Sequence, residues 1–215
     1  MAARRKRIYV NQEYFSCLSL ENSYYAGWIA ADGCLRKEGH KLLIKISAKD
    51  RELLENFVGA VSYEGKIRDH LVCGKYPTTE VTICGVLLWH QDLEKHYSIV
   101  PKKSLILTPP KELPRENELA FIKGYIDGDG CIDEPIDIIG KKRLRISIVG
   151  TKKILEWIRG TLTDEYNLTS KTRVLPHENI YRYAINGKNA IIAAKNLSCL
   201  KTPGLHRKWD KVEEY

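Results

Sequence analysis

Residues 26–35 read Ala-Gly-Trp-Ile-Ala-Ala-Asp-Gly-Cys-Leu, and residues 123–132 read Lys-Gly-Tyr-Ile-Asp-Gly-Asp-Gly-Cys-Ile. Both stretches share one frame: glycine, an aromatic residue, isoleucine, a variable position, a small residue, aspartate, glycine, cysteine and an aliphatic residue. The aspartates of the two copies, Asp32 and Asp129, are 97 positions apart. A duplicated frame of this length predicts a chain built from two copies of one structural unit.

The repeat continues downstream and divides the chain into two halves. Each half reads as helix, two strands, helix, two strands and helix, because stretches of helical periodicity alternate with stretches of alternating apolar and polar residues. We therefore predict an α+β fold of two pseudo-symmetric αββαββα repeats. Residues 101–114 contain four prolines, which predicts a linker. The expected halves are residues 1–100 and residues 115–215.

The bounds of the individual elements follow from the same patterns. In the first half, we expect helices over 21–32, 51–61 and 86–97, and strands over 41–48, 65–71 and 78–84. In the second half, we expect helices over 119–129, 151–166 and 189–199, and strands near 143–148, 171–176 and 180–186. We expect Gly33 to end the first helix by adopting the left-handed conformation.

Small residues on the first helix of each half predict that these two helices pack together. Gly27 and Ala31 are four positions apart, as are Gly124 and Gly128. Such spacing clears a groove along one helix face, and two grooved helices can approach until their backbones almost touch.

The packing of these helices would bring two acidic residues together. Asp32 and Asp129 each fall in the last turn of a helix, where the helix dipole disfavours a carboxylate. Two neighbouring carboxylates also repel each other, so we expect a cation between them. Mg²⁺ suits the position because it binds one or two carboxylates together with water and phosphate oxygens. Metal ions of this kind assist phosphodiester cleavage.

The predicted strands carry a polar face that is rich in basic residues. A concave face of this kind can lie in the major groove of DNA, where arginine reads guanine and asparagine reads adenine. For any single residue, an ordinary solvated sheet face is the alternative. The candidate DNA contacts are Lys45, Ser47, Lys66, Arg68, His70, Thr82, Arg143, Arg145, Ser147, Arg173, His177, Arg182 and Asn186.

Composition narrows the class of partner. The formal net charge of +8 over 215 residues favours a polyanionic partner, nucleic acid above all. No apolar run approaches the ~20 residues of a membrane helix, so we expect no membrane partner. The basic residues 4–7 are open to interpretation as a DNA-contacting arm, an import signal or a solvated tail.

The cysteines and histidines do not form the sequence patterns of the common zinc sites. The six cysteines form no C-x-x-C pair, and the six histidines form no H-E-x-x-H pattern. Free thiols predict a reducing intracellular compartment, whether cytoplasm, nucleoid or organelle.

Residues 25–33 (Tyr-Ala-Gly-Trp-Ile-Ala-Ala-Asp-Gly) and 122–130 (Ile-Lys-Gly-Tyr-Ile-Asp-Gly-Asp-Gly) resemble the LAGLIDADG motif. Two such motifs at this spacing, with the linker and the order of elements, are similar to the single-chain homing endonucleases over nearly the whole chain. The first motif has Ala30 where the second has Asp127. That sixth position is not the family's metal ligand, so the difference does not count against activity.

The resemblance implies a fold and an activity. The implied fold has saddle-shaped antiparallel sheets that lie on DNA, with the motif helices at the interface of the halves. The implied activity is a double-strand break across the minor groove, with 3′ overhangs, at a long and mostly non-palindromic target. The implied state is a monomer with internal pseudo-twofold symmetry, and the implied role is intron homing.

The resemblance also implies which residues hold the metal. The family's metal-binding acid is the eighth motif residue, which falls on Asp32 and Asp129. The carbonyls of the preceding residues, Ala31 and Gly128, often join the metal ligands. We expect Mg²⁺ as the cofactor, with Mn²⁺ as a substitute, and we expect Ca²⁺ to support DNA binding without efficient cleavage.

Family members further carry a lysine near the site that polarises water or stabilises the phosphate. Lys103 and Lys208 match this feature best and are the candidate catalytic lysines beside the two acids. Their neighbours Lys102 and Arg207 are close competitors, so the sequence leaves both choices open.

Two other functions remain open at this point. An RNA-binding intron maturase on the same scaffold, with intron RNA as its partner, is the main alternative, although retention of both acids argues for cleavage. A non-catalytic DNA-binding regulator is the second alternative. A lost aspartate or an appended helix-turn-helix would favour the regulator, and the sequence shows neither.

Overall fold

The computed structural model describes residues 8–169 and 172–215 of the chain. The basic residues 4–7 and the start of the strand predicted near 171–176 lie outside the described residues.

Both halves contain the same succession of elements. The first half has helices α1 (Leu20–Asp32), α2 (Arg51–Ala60) and α3 (Leu87–Tyr97), and strands β1 (Gly33–Arg36), β2 (Lys41–Ser47), β3 (Arg68–Val72) and β4 (Tyr76–Ile83). The second half has helices α4 (Arg115–Asp129), α5 (Lys152–Tyr166) and α6 (Lys188–Ser198), and strands β5 (Gly130–Asp133), β6 (Arg145–Gly150), β7 (Leu175–His177) and β8 (Ile180–Asn186). A short helix α7 (His206–Trp209) follows. Within the described ranges, no helix combines the length and apolarity that a bilayer span needs.

Each half forms one four-stranded antiparallel sheet. The strand order is β1-β2-β4-β3 in the first sheet and β5-β6-β8-β7 in the second, so the two halves share one topology. The predicted α+β fold of two αββαββα repeats is therefore confirmed.

Alternation along the strands separates a core face from an open face. In β2, Leu42, Ile44 and Ile46 are buried, whereas Lys45 and Ser47 are exposed. Apolar side chains on one face of each sheet pack against the helices, because burial there removes them from water. The opposite face of each sheet is left open to solvent or to a partner.

Helices α1 and α4 form the joint between the halves, and their backbones are in direct contact. The space that a Cβ on Gly27 would need is occupied by the carbonyl oxygen of Phe121. The equivalent space on Gly124 is occupied by the carbonyl oxygen of Tyr24. Glycine at both positions is thus required by close approach, as the spacing of small residues predicts.

Helix α4 begins earlier than the sequence predicts. It starts at Arg115, directly after Pro114, rather than near residue 119. Asn117 in its first turn is buried because its amide donates to the carbonyl of Ser19 (3.0 Å) and to Oγ of Ser23 (2.9 Å). The apolar pattern misses this first turn, because Asn117 is buried through its hydrogen bonds to residues at the start of α1 rather than through an apolar side chain.

The predicted conformation of Gly33 is wrong. Its φ of −76° and ψ of 145° are extended, and it begins strand β1 instead of capping α1 in the left-handed conformation. A Cβ at this position would lie 2.7 Å from the carbonyl oxygen of Ile29. Close approach to the preceding helical turn, rather than backbone conformation, requires glycine here, and the same holds for Gly130 beside Ile126.

Candidate metal and DNA-binding site

The two duplicated acids meet where the motif helices end. Asp32 closes α1 and Asp129 closes α4, so the packing of these helices brings both carboxylates to the joint between the halves. Asp32 shares a cavity of about 390 Å³ with Gly128, and Asp129 shares one of about 200 Å³ with Ala31. Each acid therefore lies beside the small residue of the opposite helix.

The surroundings disfavour the charged form of both acids. Burial raises the pKa of Asp32 to about 6, with repulsion from Asp129 adding to the effect. Burial also raises the pKa of Asp129. Lys208 is the largest opposing influence on the pKa of Asp32, whereas Lys103 is the largest on that of Asp129. Each acid is thus balanced mainly by a different lysine.

An aromatic residue stands one turn before each acid. Hydrogen bonding by Trp28 lowers the pKa of Asp32, and hydrogen bonding by Tyr125, whose hydroxyl also donates to the carbonyl of Val149 (3.2 Å), lowers that of Asp129. Residues four positions apart lie on one helix face, so the duplicated aromatic of the repeat lies beside the duplicated aspartate. The sequence contained this signal in the shared frame.

Lys103 lies in the segment that joins the halves, within a 3₁₀ turn over Lys103–Leu105. It is buried, and its Nζ donates to the carbonyl oxygen of Gly33 (2.5 Å) and contacts that of Ala31 (3.4 Å). The ammonium thereby satisfies carbonyls at the C-terminal end of α1. Lys102 is exposed, so the structure places Lys103 rather than its neighbour at the site.

Lys208 makes the corresponding contacts at the end of α4. Its Nζ donates to the carbonyl oxygens of Ile126 (2.9 Å), Asp127 (2.6 Å) and Gly130 (2.7 Å). Burial lowers the pKa of Lys208, and the nearby Asp127 is the largest influence that raises it. Both candidate lysines therefore neutralise the negative ends of the motif helices.

Asp127 is a buried structural centre that no sequence pattern identified. Its carboxylate accepts hydrogen bonds from the hydroxyl of Tyr24 (2.6 Å), the backbone N–H of Leu205 (3.1 Å) and the indole N–H of Trp209 (2.9 Å). These donors come from α1, the C-terminal segment and α7. A single acid thus ties the C-terminal segment, and Lys208 with it, to the helix interface.

Arg207 connects the two halves beside the Asp32 cavity. Its Nε and Nη2 donate to the two carboxylate oxygens of Asp50 at 2.5 and 2.6 Å. Asp50 lies between β2 and α2 of the first half, whereas Arg207 belongs to α7 of the second half. No local sequence pattern indicates this ion pair, because its members lie 157 positions apart in the chain.

The open face of the first sheet carries the predicted contacts of that half. In the strand register, Lys45 lies opposite Glu80, which lies opposite Arg68, so one acidic residue stands between two basic ones. The remaining predicted contacts Ser47, His70 and Thr82 lie on the same face, and Lys66 just precedes β3.

The open face of the second sheet carries Arg145, Arg182 and Asn186, with His177 in β7 and with Arg143 and Arg173 just before β6 and β7. Arg145 forms two hydrogen bonds with Asp133 (2.8 and 2.5 Å), and Arg143 forms one with Asp137 (2.6 Å). The prediction that Ser147 contacts DNA needs correction, because this residue is only 6% exposed and lies between Cys131 and Ala184 in the strand register. Its neighbours leave too little of the side chain free for a direct contact.

The chemistry of the donor set fits a hard divalent ion. Asp32 and Asp129 offer carboxylate oxygens whose mutual repulsion a cation would relieve, and carboxylates are ligands that Mg²⁺ prefers. Among residues 8–169 and 172–215, no group of three or more His, Cys, Asp or Glu side chains is arranged to hold a metal. Two acids with backbone carbonyls, water and phosphate would complete such a site.

Comparisons with known proteins agree on the fold. No protein-family model matches the sequence, and no curated protein matches it. Among solved structures, the meganuclease I-SmaMI bound to uncleaveable DNA is similar with a TM-score of 0.62 at 13% identity, over 91% of this chain and 88% of that chain. The LAGLIDADG meganuclease I-AabMI bound to uncleaved DNA gives a TM-score of 0.59 at 13% identity, over 92% and 90%.

A third solved structure is the N-terminal LAGLIDADG domain of DUF199/WhiA. It gives a TM-score of 0.55 at 16% identity, over 94% of this chain and 93% of that chain. This chain therefore has the LAGLIDADG fold, as the two motifs predict. Since two of these structures are meganucleases and the third is described only as a LAGLIDADG domain, function has to be argued from the site.

Proposed function

We propose that this chain is a site-specific, divalent-metal-dependent DNA endonuclease that breaks both strands of a duplex. It acts as a monomer across the minor groove of a long, mostly non-palindromic target, leaves 3′ overhangs and serves intron homing. The observation that carries the proposal is the meeting of Asp32 and Asp129 at the joint of two matching halves. A pair of equivalent acids suits duplex DNA, since its two antiparallel strands are themselves related by twofold symmetry.

The acids and the neighbouring backbone supply the metal ligands. Asp32 would hold an ion with the carbonyl of Gly128, and Asp129 would hold one with that of Ala31, because each acid shares a cavity with that residue. Divalent ions bound there would activate water and stabilise the charge that develops on the phosphate. A bound cation would also favour the ionised form of both carboxyls.

The two buried lysines supply fixed positive charge at the same place. Lys103 and Lys208 are held by carbonyl oxygens at the ends of α1 and α4, so their positive charges are fixed in position beside the two acids. A preorganised charge in a partly buried site stabilises a developing anion more than a mobile one in water.

The open sheet faces offer the surface for the duplex. Lys45, Arg68 and Arg182 are exposed there, and the formal net charge of +8 favours attraction of the phosphate backbone. Such a surface could bind intron RNA as well. RNA binding would not need the two metal-binding acids, so their retention favours cleavage.

The experiment that tests the proposal is selection of cleaved duplexes from a random library in Mg²⁺. We expect one related set of long sequences, cut on both strands to leave 3′ overhangs. Mn²⁺ should substitute for Mg²⁺, and Ca²⁺ should support binding without efficient cutting. Full cutting in EDTA would contradict metal dependence, and failure to recover any cut duplex would refute the endonuclease.

A further inference from the structure

The two cavities that hold the acids differ in the cations around them. The Asp32 cavity is lined by Arg207 together with Asp50 and Lys45. The Asp129 cavity is lined by Lys103, and no arginine among residues 8–169 and 172–215 lines it. The two halves share one fold, yet the two sites offer different donors.

The two buried lysines also differ in how far they are already engaged. All three N–H bonds of the Lys208 ammonium are matched by the carbonyls of α4 and β5. Lys103 has two acceptors among the described residues, one of them at 3.4 Å. An ammonium has three donors, so Lys103 can still donate to a phosphate, whereas Lys208 can act on one only through its charge.

Arg207 is placed to make the direct contact that Lys208 cannot make. Its guanidinium gives Nε and Nη2 to Asp50, and this pairing leaves the two N–H bonds of Nη1 uncommitted to the acid. Asp50 has only 12% of its side chain exposed, whereas Arg207 has 52%. A planar guanidinium that is fixed along one edge presents its remaining donors in a defined direction, and Arg207 lines the cavity of Asp32.

In the described part of the chain, the second half has no equivalent ion pair at the corresponding place. Asp50 directly precedes α2, and the residue that directly precedes α5 is Thr151, whose hydroxyl donates to the carbonyl of Leu107 (2.6 Å). The residue that corresponds to Arg207 is Lys102, which is exposed. The difference between the two sites is therefore built into both the sequence and the packing.

We propose that different side chains bind the scissile phosphates of the two DNA strands. Arg207, oriented by Asp50, binds the phosphate beside Asp32, and Lys103 alone binds the phosphate beside Asp129. The inference rests on the proposed endonuclease function and deepens it. Arg207 is a phosphate-binding residue, Asp50 is a positioning residue, and Lys208 contributes fixed charge.

The test uses the duplex recovered from the cleavage selection, with a neutral methylphosphonate at one scissile position or the other. Affinity is measured in EDTA, so that no metal or chemistry contributes. A charge-assisted hydrogen bond to phosphate contributes strongly, and we expect each substitution to weaken wild-type binding about tenfold. Arg207→Gln should lose this sensitivity on one strand, and Lys103→Gln should lose it on the other.

Four further variants separate the roles of these residues. Asp50→Asn should reduce sensitivity on the same strand as Arg207→Gln, and the double variant should be no worse than Arg207→Gln alone. Arg207→Lys keeps the positive charge but not the planar guanidinium. Its sensitivity to the methylphosphonate should therefore fall between that of wild type and that of Arg207→Gln, and it provides a second measurement if Arg207→Gln folds poorly. Lys102→Gln is the matched control and should keep full sensitivity on both strands.

The outcomes distinguish the two proposals. A wild-type protein that cuts no duplex would refute the endonuclease function and this inference with it. A wild-type protein that cuts, together with an Arg207→Gln variant equally sensitive to both methylphosphonates, would refute this inference alone. Equal loss on both strands would also overturn it, since a general loss of affinity is not a strand-specific contact.

Discussion

Gly124 of α4 packs against the backbone carbonyl of Tyr24 of α1, which occupies the space that a Cβ on the glycine would need. Backbone cannot move aside as the end of a flexible side chain can. The contact therefore sets the distance between the two halves, and with it the distance between the acids that end these helices.

Gly124→Ala should be strongly destabilising. We expect the free energy of unfolding to fall by about 3 kcal/mol or more, because overpacking against backbone forces the helices apart. Gly160→Ala in α5 is the matched control, since nothing lies within 4 Å of its added Cβ. It should be neutral or stabilising by up to about 1 kcal/mol. Chemical denaturation of both variants measures the difference, and equal effects would contradict the close approach.

Replacement of either acid should abolish double-strand cleavage while sparing most of the DNA affinity. Asp32→Asn and Asp129→Asn each remove a charged ligand from a metal site that both helices build. Cleavage of a selected target and binding to it in Ca²⁺ are the two measurements. Asp133→Asn on the open sheet face is a control that should still cut, and undiminished cutting by Asp32→Asn would rule out the assignment.

The metal-free protein should lose stability as the pH rises from about 4 to about 6. The pKa of Asp32 is about 6 in the folded protein and has a usual value of 3.8. The folded state therefore holds the proton more tightly, so this stabilisation is present below pH 4 and is lost by pH 6. The difference corresponds to about 3 kcal/mol at most. Denaturation in EDTA at several pH values should show a larger loss in wild type than in Asp32→Asn, which retains only the raised pKa of Asp129, and parallel pH profiles would contradict the assignment to Asp32.

Asp127→Ala should destabilise the protein although the first motif has alanine at the same position. The substitution leaves the buried donors of Tyr24, Leu205 and Trp209 without an acceptor. We expect a loss of about 3 kcal/mol, because unsatisfied buried polar groups are costly. Tyr24→Phe, which removes one donor and leaves two, should cost about 1 kcal/mol. Thermal denaturation compares the two variants, and a stable Asp127→Ala protein would show that the network contributes little.

DNA affinity should fall steeply with salt concentration. If ~6–10 phosphates are neutralised by the sheet faces, the loss between about 50 and 200 mM salt is on the order of 10³–10⁵-fold. Removing one phosphate contact, for example by Lys45→Gln, should reduce the slope by about one ion equivalent. A flat salt titration would contradict a basic surface for the duplex.

The sequence by itself determined the parts of this protein that depend on local pattern and on repetition. The duplicated frame around Asp32 and Asp129 predicted two matching halves, and alternation along β2 predicted the open face with Lys45. The spacing of Gly27 with Ala31, and of Gly124 with Gly128, predicted the tight helix contact. These inferences hold because helix and strand periodicity, and the need for small residues at a close contact, are properties of short stretches of chain.

Only the tertiary structure decided which distant residues meet. It placed Lys103 at the site rather than Lys102, made Asp127 a buried centre for three donors, joined Arg207 to Asp50 and buried Ser147 between its neighbours. It also showed that Gly33 is extended and is required by contact with Ile29. Each of these facts depends on packing between segments far apart in the chain, and burial and long-range hydrogen bonds leave no periodic trace in the sequence that forms them.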